Sequence, residues 1–262
     1  NIELLTGSHS TPERQDIERR LVNGEIDIVV GTHALLTENV QFHSLAIAVI
    51  DEQHRFGVHQ RATLRTKSDA PTTAPHALVM TATPIPRTLS LTVFGDLDIS
   101  TIRALPPGRQ PIITRRVDCI QREKVYEYAA ERLAAGEQLY VVVPVIDESE
   151  AGLVDLQSHF EWLQNGPFVG RDLAAVHGRL KQDERESIME RFRAGEIDAL
   201  IATTVIEVGV DVPRATMMII ENADRFGLAQ LHQLRGRVGR GEHRSLCVLI
   251  ADPQTEDGEA RL

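Results

Sequence analysis

The chain has 262 residues, 42% hydrophobic and 25% charged, enough apolar content for the cores of one large or two medium globular domains. Its 18 glycines and 12 prolines exclude collagen-like and low-complexity architectures, and no apolar run approaches the roughly 20 residues of a membrane-spanning helix. A net charge of −10 excludes a wholly basic nucleic-acid coat but leaves room for a local basic track.

The opening NIELLTGSHS lacks the basic and apolar regions of a signal peptide. It reads as a chain entered in mid-strand, which leads us to expect a piece of a larger protein. Buried strands are then predicted at Ile26–Val30, Leu45–Ile50, Ala77–Met80, Gln138–Val143, Leu173–Val176, Ala199–Ala202, Met217–Ile220 and Ser245–Ile250. Helix-period segments lie between several of them. This alternation predicts an α/β fold with parallel sheet covered on both faces. The run RALPPGRQP, Arg103 to Pro111, has paired prolines, a glycine and no periodicity, the marks of a linker. It divides the chain into domains 1–102 and 112–262. Cys119 and Cys247 show no metal-ligand spacing and read as two reduced, buried thiols of a cytosolic protein.

The two halves share a unit. Glu13 to Thr32 reads ERQDIERRLVNGEIDIVVGT, and Glu184 to Thr203, 171 residues on, reads ERESIMERFRAGEIDALIAT. In each copy an amphipathic helix ends at a glycine able to take the left-handed conformation. A GEID turn, a buried strand and a threonine follow. Thr11 and Pro12 are expected to supply the N-cap and first-turn proline of the first helix. The shared GEID favours duplication over chance, and so two domains of one fold, each with a threonine at the carboxyl end of a strand. Ligands of open α/β sheets bind at such ends.

Three stretches carry chemistry. In LAIAVIDEQHRFGV an apolar strand runs into Asp51 and Glu52. An acid there can hold the Mg²⁺ of a nucleoside triphosphate, and its neighbour can orient the attacking water. An acidic N-cap is the plainer alternative, and the Gln53-His54 continuation weighs against it. In ALVMTATPIPRTL, Thr81 and Thr83 flank a small residue at a strand end. The third stretch runs from ALIATTVIEVGVDVPRA to AQLHQLRGRVGRG. It offers Gly209 and Asp211 at a tight return, then Gln233, Arg237 and Arg240 at i, i+4 and i+7. These would share one face of an unbroken helix, with Gly236 and Gly239 as places to unwind it. The guanidiniums of Arg235, Arg237 and Arg240, so close together, repel one another unless a polyanion lies between them.

DEQHRFGV, TATPIPRTL, VIEVGVDVP and QLHQLRGRVGRG resemble the motor motifs of superfamily-two DNA helicases. FGDLDIS, LPPGRQPI, PVIDESE and AVHGRLK narrow the resemblance to the RecG family. It spans nearly the whole chain and implies two RecA-like lobes, the first incomplete. It further implies ATP and Mg²⁺ as cofactors and branched DNA (replication forks and Holliday junctions) as partner of a cytoplasmic, monomeric helicase. Asp51 then resembles the Mg²⁺ ligand, Glu52 the water-activating acid and His54 a γ-phosphate sensor. Thr81 and Thr83 resemble motif III, and Gly209 and Asp211 the nucleotide-facing part of motif V. Gln233, Arg237 and Arg240 resemble motif VI, with either arginine as the finger. Thr6, Gly7, Ser8, Gly31, Thr32 and His33 look like the first lobe's DNA-backbone contacts, and His177, Gly178, Thr203 and Thr204 like the second's.

One departure stands out. Such a motor needs a Gly-x-x-x-x-Gly-Lys-Ser/Thr loop to cradle phosphates, and Lys67, Lys124 and Lys181, the three lysines, lie in none. The family places that loop and a wedge domain before the segment seen here, and a helical hairpin after it. Hydrolysis is therefore expected of the full-length protein and not of this chain alone. The motor of a transcription-repair coupling factor and a non-catalytic nucleic-acid-binding module are the rival readings.

Overall fold

The computed structural model describes residues 1–7, 9–37, 39–51, 75–81, 98–102, 104, 110–144, 150–203, 212–239, 241, 243–253 and 258–259. In chain order these form β1 (Ile2–Leu5), α1 (Thr11–Val22), β2 (Ile28–Gly31), β3 (Ile47–Ile50), β4 (His76–Val79), β5 (Ile113–Val117), α2 (Arg122–Ala134), β6 (Gln138–Val142), α3 (Glu150–Asn165), β7 (Leu173–Val176), α4 (Gln182–Ala194), β8 (Ala199–Ala202), β9 (Ala215–Ile220), α5 (Leu228–Arg235) and β10 (Leu246–Ile250). The chain divides into two compact units, 1–90 and 91–262.

In the second unit six strands form one sheet in the order β5-β10-β9-β6-β8-β7, with every pairing parallel. Alternate side chains of a strand face opposite ways, and both faces are covered. On one, Tyr140, Val142, Leu200, Met218 and Ile220 pack with Phe192 of α4 and Leu231 and Leu234 of α5. On the other, Leu139, Val141, Ile201, Met217 and Ile219 pack with Tyr126 and Leu133 of α2 and Leu163 of α3. This two-sided burial is why the central strands read as continuous apolar runs. Strand β5 had no such signal: its ITRRV is exposed at four of five positions, and it joins the edge through its pairing with β10.

The first unit contains two parallel pairs, β1-β2 and β3-β4. Leu5, Ile17, Leu21, Ala34, Val40 and Phe42 form its core. The opposite face of β1-β2 carries Ile2, Leu4, Ile28 and Val30, all more than half exposed.

The duplication read from the sequence extends to the backbone. β1, α1 and β2 recur 171 residues on as β7, α4 and β8. Ile2 pairs with Ile28 and Leu173 with Ala199, the same register in both. Gly24 (φ +73°) and Gly195 (φ +83°) are both left-handed, as a helix exit through glycine requires. Beyond them, Glu25 N donates to Arg20 O and Glu196 N to Arg191 O. Even the helix starts match, where Ser10 N donates to Glu13 Oε2 at 3.0 Å and Lys181 N to Glu184 Oε2 at 3.3 Å.

Two local expectations are corrected, and one left open is decided. The N-cap of α1 is Ser10, one residue before Thr11, because Glu13 folds back onto Ser10. Cys119 is exposed, opening a 3₁₀ turn ahead of α2, whereas Cys247 is buried. Helix α5 stops at Arg235, so no unbroken helix aligns Gln233, Arg237 and Arg240 on one face.

Candidate nucleotide and nucleic-acid sites

In the first unit the predicted residues gather at carboxyl edges of parallel strands. Leu5 pairs with Gly31, which sets Thr6 and Thr32 next to one another just beyond β1 and β2. A side chain at Gly31 would place its Cβ 2.2 Å from Leu5 O and 2.9 Å from the Leu35 side chain, so only glycine allows this approach. Thr32 is exposed and extended, and its carbonyl accepts from Leu35 N at 3.1 Å as the chain enters a 3₁₀ turn at His33–Leu36. Thr6 Oγ1 lies 3.0 Å from His9 Nδ1, and Thr6 N donates to the same nitrogen. Gly7 is exposed, with open space where a Cβ would be. Ser8 lies outside the described residues, as does the side chain of His33.

β3 and β4 build a second such edge. Ile50 pairs with Val79, and Met80 N donates to Ile50 O at 2.8 Å. One step on, Asp51 stands level with Met80, and Thr81 is the next residue; Asp51 and Thr81 are both exposed. An exposed carboxylate at a strand's carboxyl end is a hard oxygen donor. It suits Mg²⁺, which takes one or two carboxylates and completes its shell with phosphate and water. Glu52, His54 and Thr83 lie outside the described residues. Among the described residues no group of three or more His, Cys, Asp or Glu is assembled for a resident metal.

In the second unit Val176 pairs with Ala202, and Thr203 N donates to Val176 O at 3.2 Å. His177 and Thr203 are thus the counterparts of Thr6 and Thr32. Gly178 is exposed next to His177. Burial, then the charges of Arg179 and Arg185, hold the His177 imidazole below its usual pKa. Its Nδ1 and Arg185 Nε are buried polar atoms with no hydrogen-bond partner among the described residues. Thr204, Gly209, Asp211 and Arg240 lie outside the described residues. Gln233 is half-buried near the end of α5. Arg237 follows in the turn, its N–H donating to Leu234 O at 2.9 Å. Gly239 (φ +74°) then reverses the chain, with the Ile112 side chain 2.7 Å from where its Cβ would sit.

The sequence reading missed a buried polar cluster at the carboxyl end of β9. Glu221 follows β9 directly, 4% exposed. It accepts from Arg122 Nε at 2.9 Å and Tyr126 Oη at 2.7 Å. His159 of α3 lies between, its Nδ1 2.9 Å from Arg122 Nη2 and its Nε2 3.0 Å from Tyr126 Oη. An arginine only donates, so Nδ1 accepts and the imidazole proton sits on Nε2. Burial, then Arg122, lower the His159 pKa to about 4. Burial, then Glu221, push the Tyr126 phenol well up. Both stay neutral. The available signal was an acid immediately after an apolar strand, the feature that marked Asp51.

The DEAD/DEAH box helicase model matches residues 1–92, and the Helicase conserved C-terminal domain model residues 121–242. Over 100% of its length the chain is 50% identical to the ATP-dependent DNA helicase RecG of Synechocystis sp., covering 31% of that protein. To the Bacillus subtilis RecG it is 46% identical, again over 100% of its length, covering 38%. A solved RecG bound to a three-way DNA junction matches with a TM-score of 0.72 and 41% identity, over 100% of this chain and 33% of that one. The chain spans about a third of the length of the curated relatives it matches. Motor motifs, parallel α/β units that are RecA-like lobes, and identity along the whole of this chain make it similar to the corresponding third of RecG-type superfamily-two helicases.

Proposed function

We propose that this chain is motor core of a RecG-like, ATP-dependent DNA translocase, which in the full-length protein drives branch migration of stalled forks and Holliday junctions. The observation that carries the reading is the duplicated strand–helix–strand unit, with Thr6 and Thr32 at one carboxyl edge and His177 and Thr203 at its counterpart. One grip on the phosphate backbone in each of two lobes is what a stepping motor needs, and phosphate contacts position a protein without reading sequence. The junction bound to the RecG of known structure supports a branched substrate. Whole-length identity to RecG proteins supports this reading over a coupling-factor motor.

We assign residues 1–102 to the first lobe, 103–111 to the linker and 112–262 to the second lobe of a cytoplasmic monomer. ATP with Mg²⁺ is the fuel. Asp51 holds the metal, and Glu52 orients the attacking water, with His54, Thr81, Thr83, Gly209 and Asp211 around the nucleotide. Gln233, Arg237 and Arg240 act on the transferring phosphoryl. Thr6 to Ser8, Gly31 to His33, His177, Gly178, Thr203 and Thr204 face the DNA backbone. Bound metal neutralises phosphate charge, and the chain's own groups supply positioning. The test is ATP turnover by the full-length protein with no DNA, linear duplex and a four-way junction. Branched DNA should stimulate most, and turnover indifferent to DNA would refute the proposal.

A further inference from the structure

The cluster around Glu221 is not among the helicase motifs, yet it is too complete to be incidental. Arg122 donates to Glu221 and to His159, His159 Nε2–H to Tyr126, and Tyr126 O–H to Glu221. The hydrogen bonds close into a ring, with the Arg122 guanidinium stacked 4.8 Å from the Trp162 ring centroid. The ring ties three elements at one sheet edge: the start of α2, the middle of α3 and the end of β9. Buried groups so fully paired specify one arrangement of the backbone that carries them.

That backbone leads straight to the arginines. Asn222, next after Glu221, has φ +45°, the sole non-glycine positive φ among the described residues. Asparagine takes this left-handed conformation more readily than other non-glycine residues, and here it turns the chain sharply at the end of β9. The chain then turns through a 3₁₀ segment, Ala223–Arg225, seats Ala223 and Phe226 in the core, and starts α5 after Gly227. Helix α5 carries Gln233, and Arg237 follows in the turn beyond it. The segment is held at its far end by Leu231, Leu234 and Val238 and at its near end by Glu221.

We propose that Glu221, through Arg122, Tyr126 and His159, is a positioning residue for motif VI: the ring fixes the path of residues 221–227 and thereby the placement of Gln233 and Arg237. The proposal rests on the helicase reading for its consequence in turnover, and its structural half stands apart from it.

The experiment uses the full-length protein with junction DNA, and the variants Glu221→Leu, Glu221→Gln and Tyr126→Phe. Hydrogen exchange of the amides of residues 223–238 is measured beside kcat and KM for ATP. Leucine removes both acceptor bonds, so exchange in 223–238 should rise about tenfold or more while β6, β8 and α4 keep their protection. Misplacement of the arginines should lower kcat by up to about 100-fold with KM nearly unchanged. Glutamine keeps an oxygen that can accept from both Arg122 and Tyr126, and should restore most of both readouts. Tyr126→Phe removes one hydroxyl, so it keeps the test decisive if the leucine variant does not fold, and should show the same local pattern, smaller. Exchange that rises uniformly over the second unit, or a KM effect at constant kcat, would overturn the proposal, as would an unchanged 223–238 segment. If the parent protein shows no DNA-stimulated turnover, the helicase reading fails, and local exchange still decides whether Glu221 positions the segment.

Discussion

The buried His159 makes the stability of the second unit depend on pH in a direction the structure sets. Its imidazole is held near pKa 4 by burial and by Arg122, against 6.5 in the unfolded chain. Above pH 6.5 both states are neutral there, and the group contributes no pH dependence. As pH falls below 6.5 the unfolded chain takes up a proton that the folded unit refuses, so stability is lost until about pH 4. A span of 2.5 units at 1.36 kcal/mol each is about 3 kcal/mol, of which about 2 kcal/mol is gone by pH 5. Trp162, the single tryptophan, has its ring centroid 5.5 Å from the imidazole, so urea denaturation followed by its fluorescence reports this unit alone. The comparison is His159→Gln: a glutamine can accept from Arg122 and donate to Tyr126 as the neutral imidazole does, but cannot titrate. The two proteins should be within about 1 kcal/mol at pH 8. The variant should gain about 2 kcal/mol on the parent by pH 5, carboxylates elsewhere cancelling in the difference. Stability curves that run parallel from pH 8 to pH 4.5 would refute the reasoning.

Gly31→Ala forces a Cβ against Leu5 O and should destabilise the first unit by about 1–3 kcal/mol, read as a lower urea midpoint with the Trp162 transition unmoved. Phe192→Ala empties a fully buried site 5.1 Å from the Tyr140 ring and should cost about 3–5 kcal/mol, this time in the Trp162 transition. In the full-length protein, Glu52→Gln should keep Mg-ATP binding and lose most turnover, whereas Asp51→Asn should weaken the Mg²⁺ dependence itself. Isothermal titration and steady-state ATPase assays separate the two, and equal loss of nucleotide affinity in both would contradict the assigned roles.

What the sequence made legible follows from how each feature is encoded. Buried parallel strands such as β8 and β9 are continuous apolar runs, and their positions were read to within two residues. The duplicated unit was visible because helix, left-handed glycine and strand are local signals repeated at fixed spacing. Strand β5 escaped because an edge strand held by backbone pairing needs no apolar pattern, and Arg115 and Arg116 disguise it. The end of α5 was left open between an unbroken helix and unwinding at the glycines, because i, i+4 spacing says nothing about where a helix stops. Here Gly236 ends it and Gly239 turns it back. The Glu221 ring was hardest of all. Arg122 and Glu221 are 99 residues apart, and no local spacing joins a helix start to the end of a distant strand.

The duplication is most informative where its copies differ. Backbone, register and glycine geometry repeat between β1-α1-β2 and β7-α4-β8, so the fold alone does not explain a difference at the two matched threonines. Yet Thr32 is exposed, whereas Thr203 is 4% exposed. An exposed threonine can offer its hydroxyl and its N–H to a phosphate at no cost in packing. Thr203 has already committed its N–H to Val176 O, and its hydroxyl reaches a ligand only if neighbouring groups give way. Beside Thr32 stands Thr6, anchored on His9; beside Thr203 stands His177, with a buried Nδ1 that has no partner among the described residues. A motor whose grips were identical would have no reason to release one before the other. If the two threonines are the grips proposed above, unequal readiness at two edges of one duplicated unit supplies such a reason, with the easier contact on the first lobe.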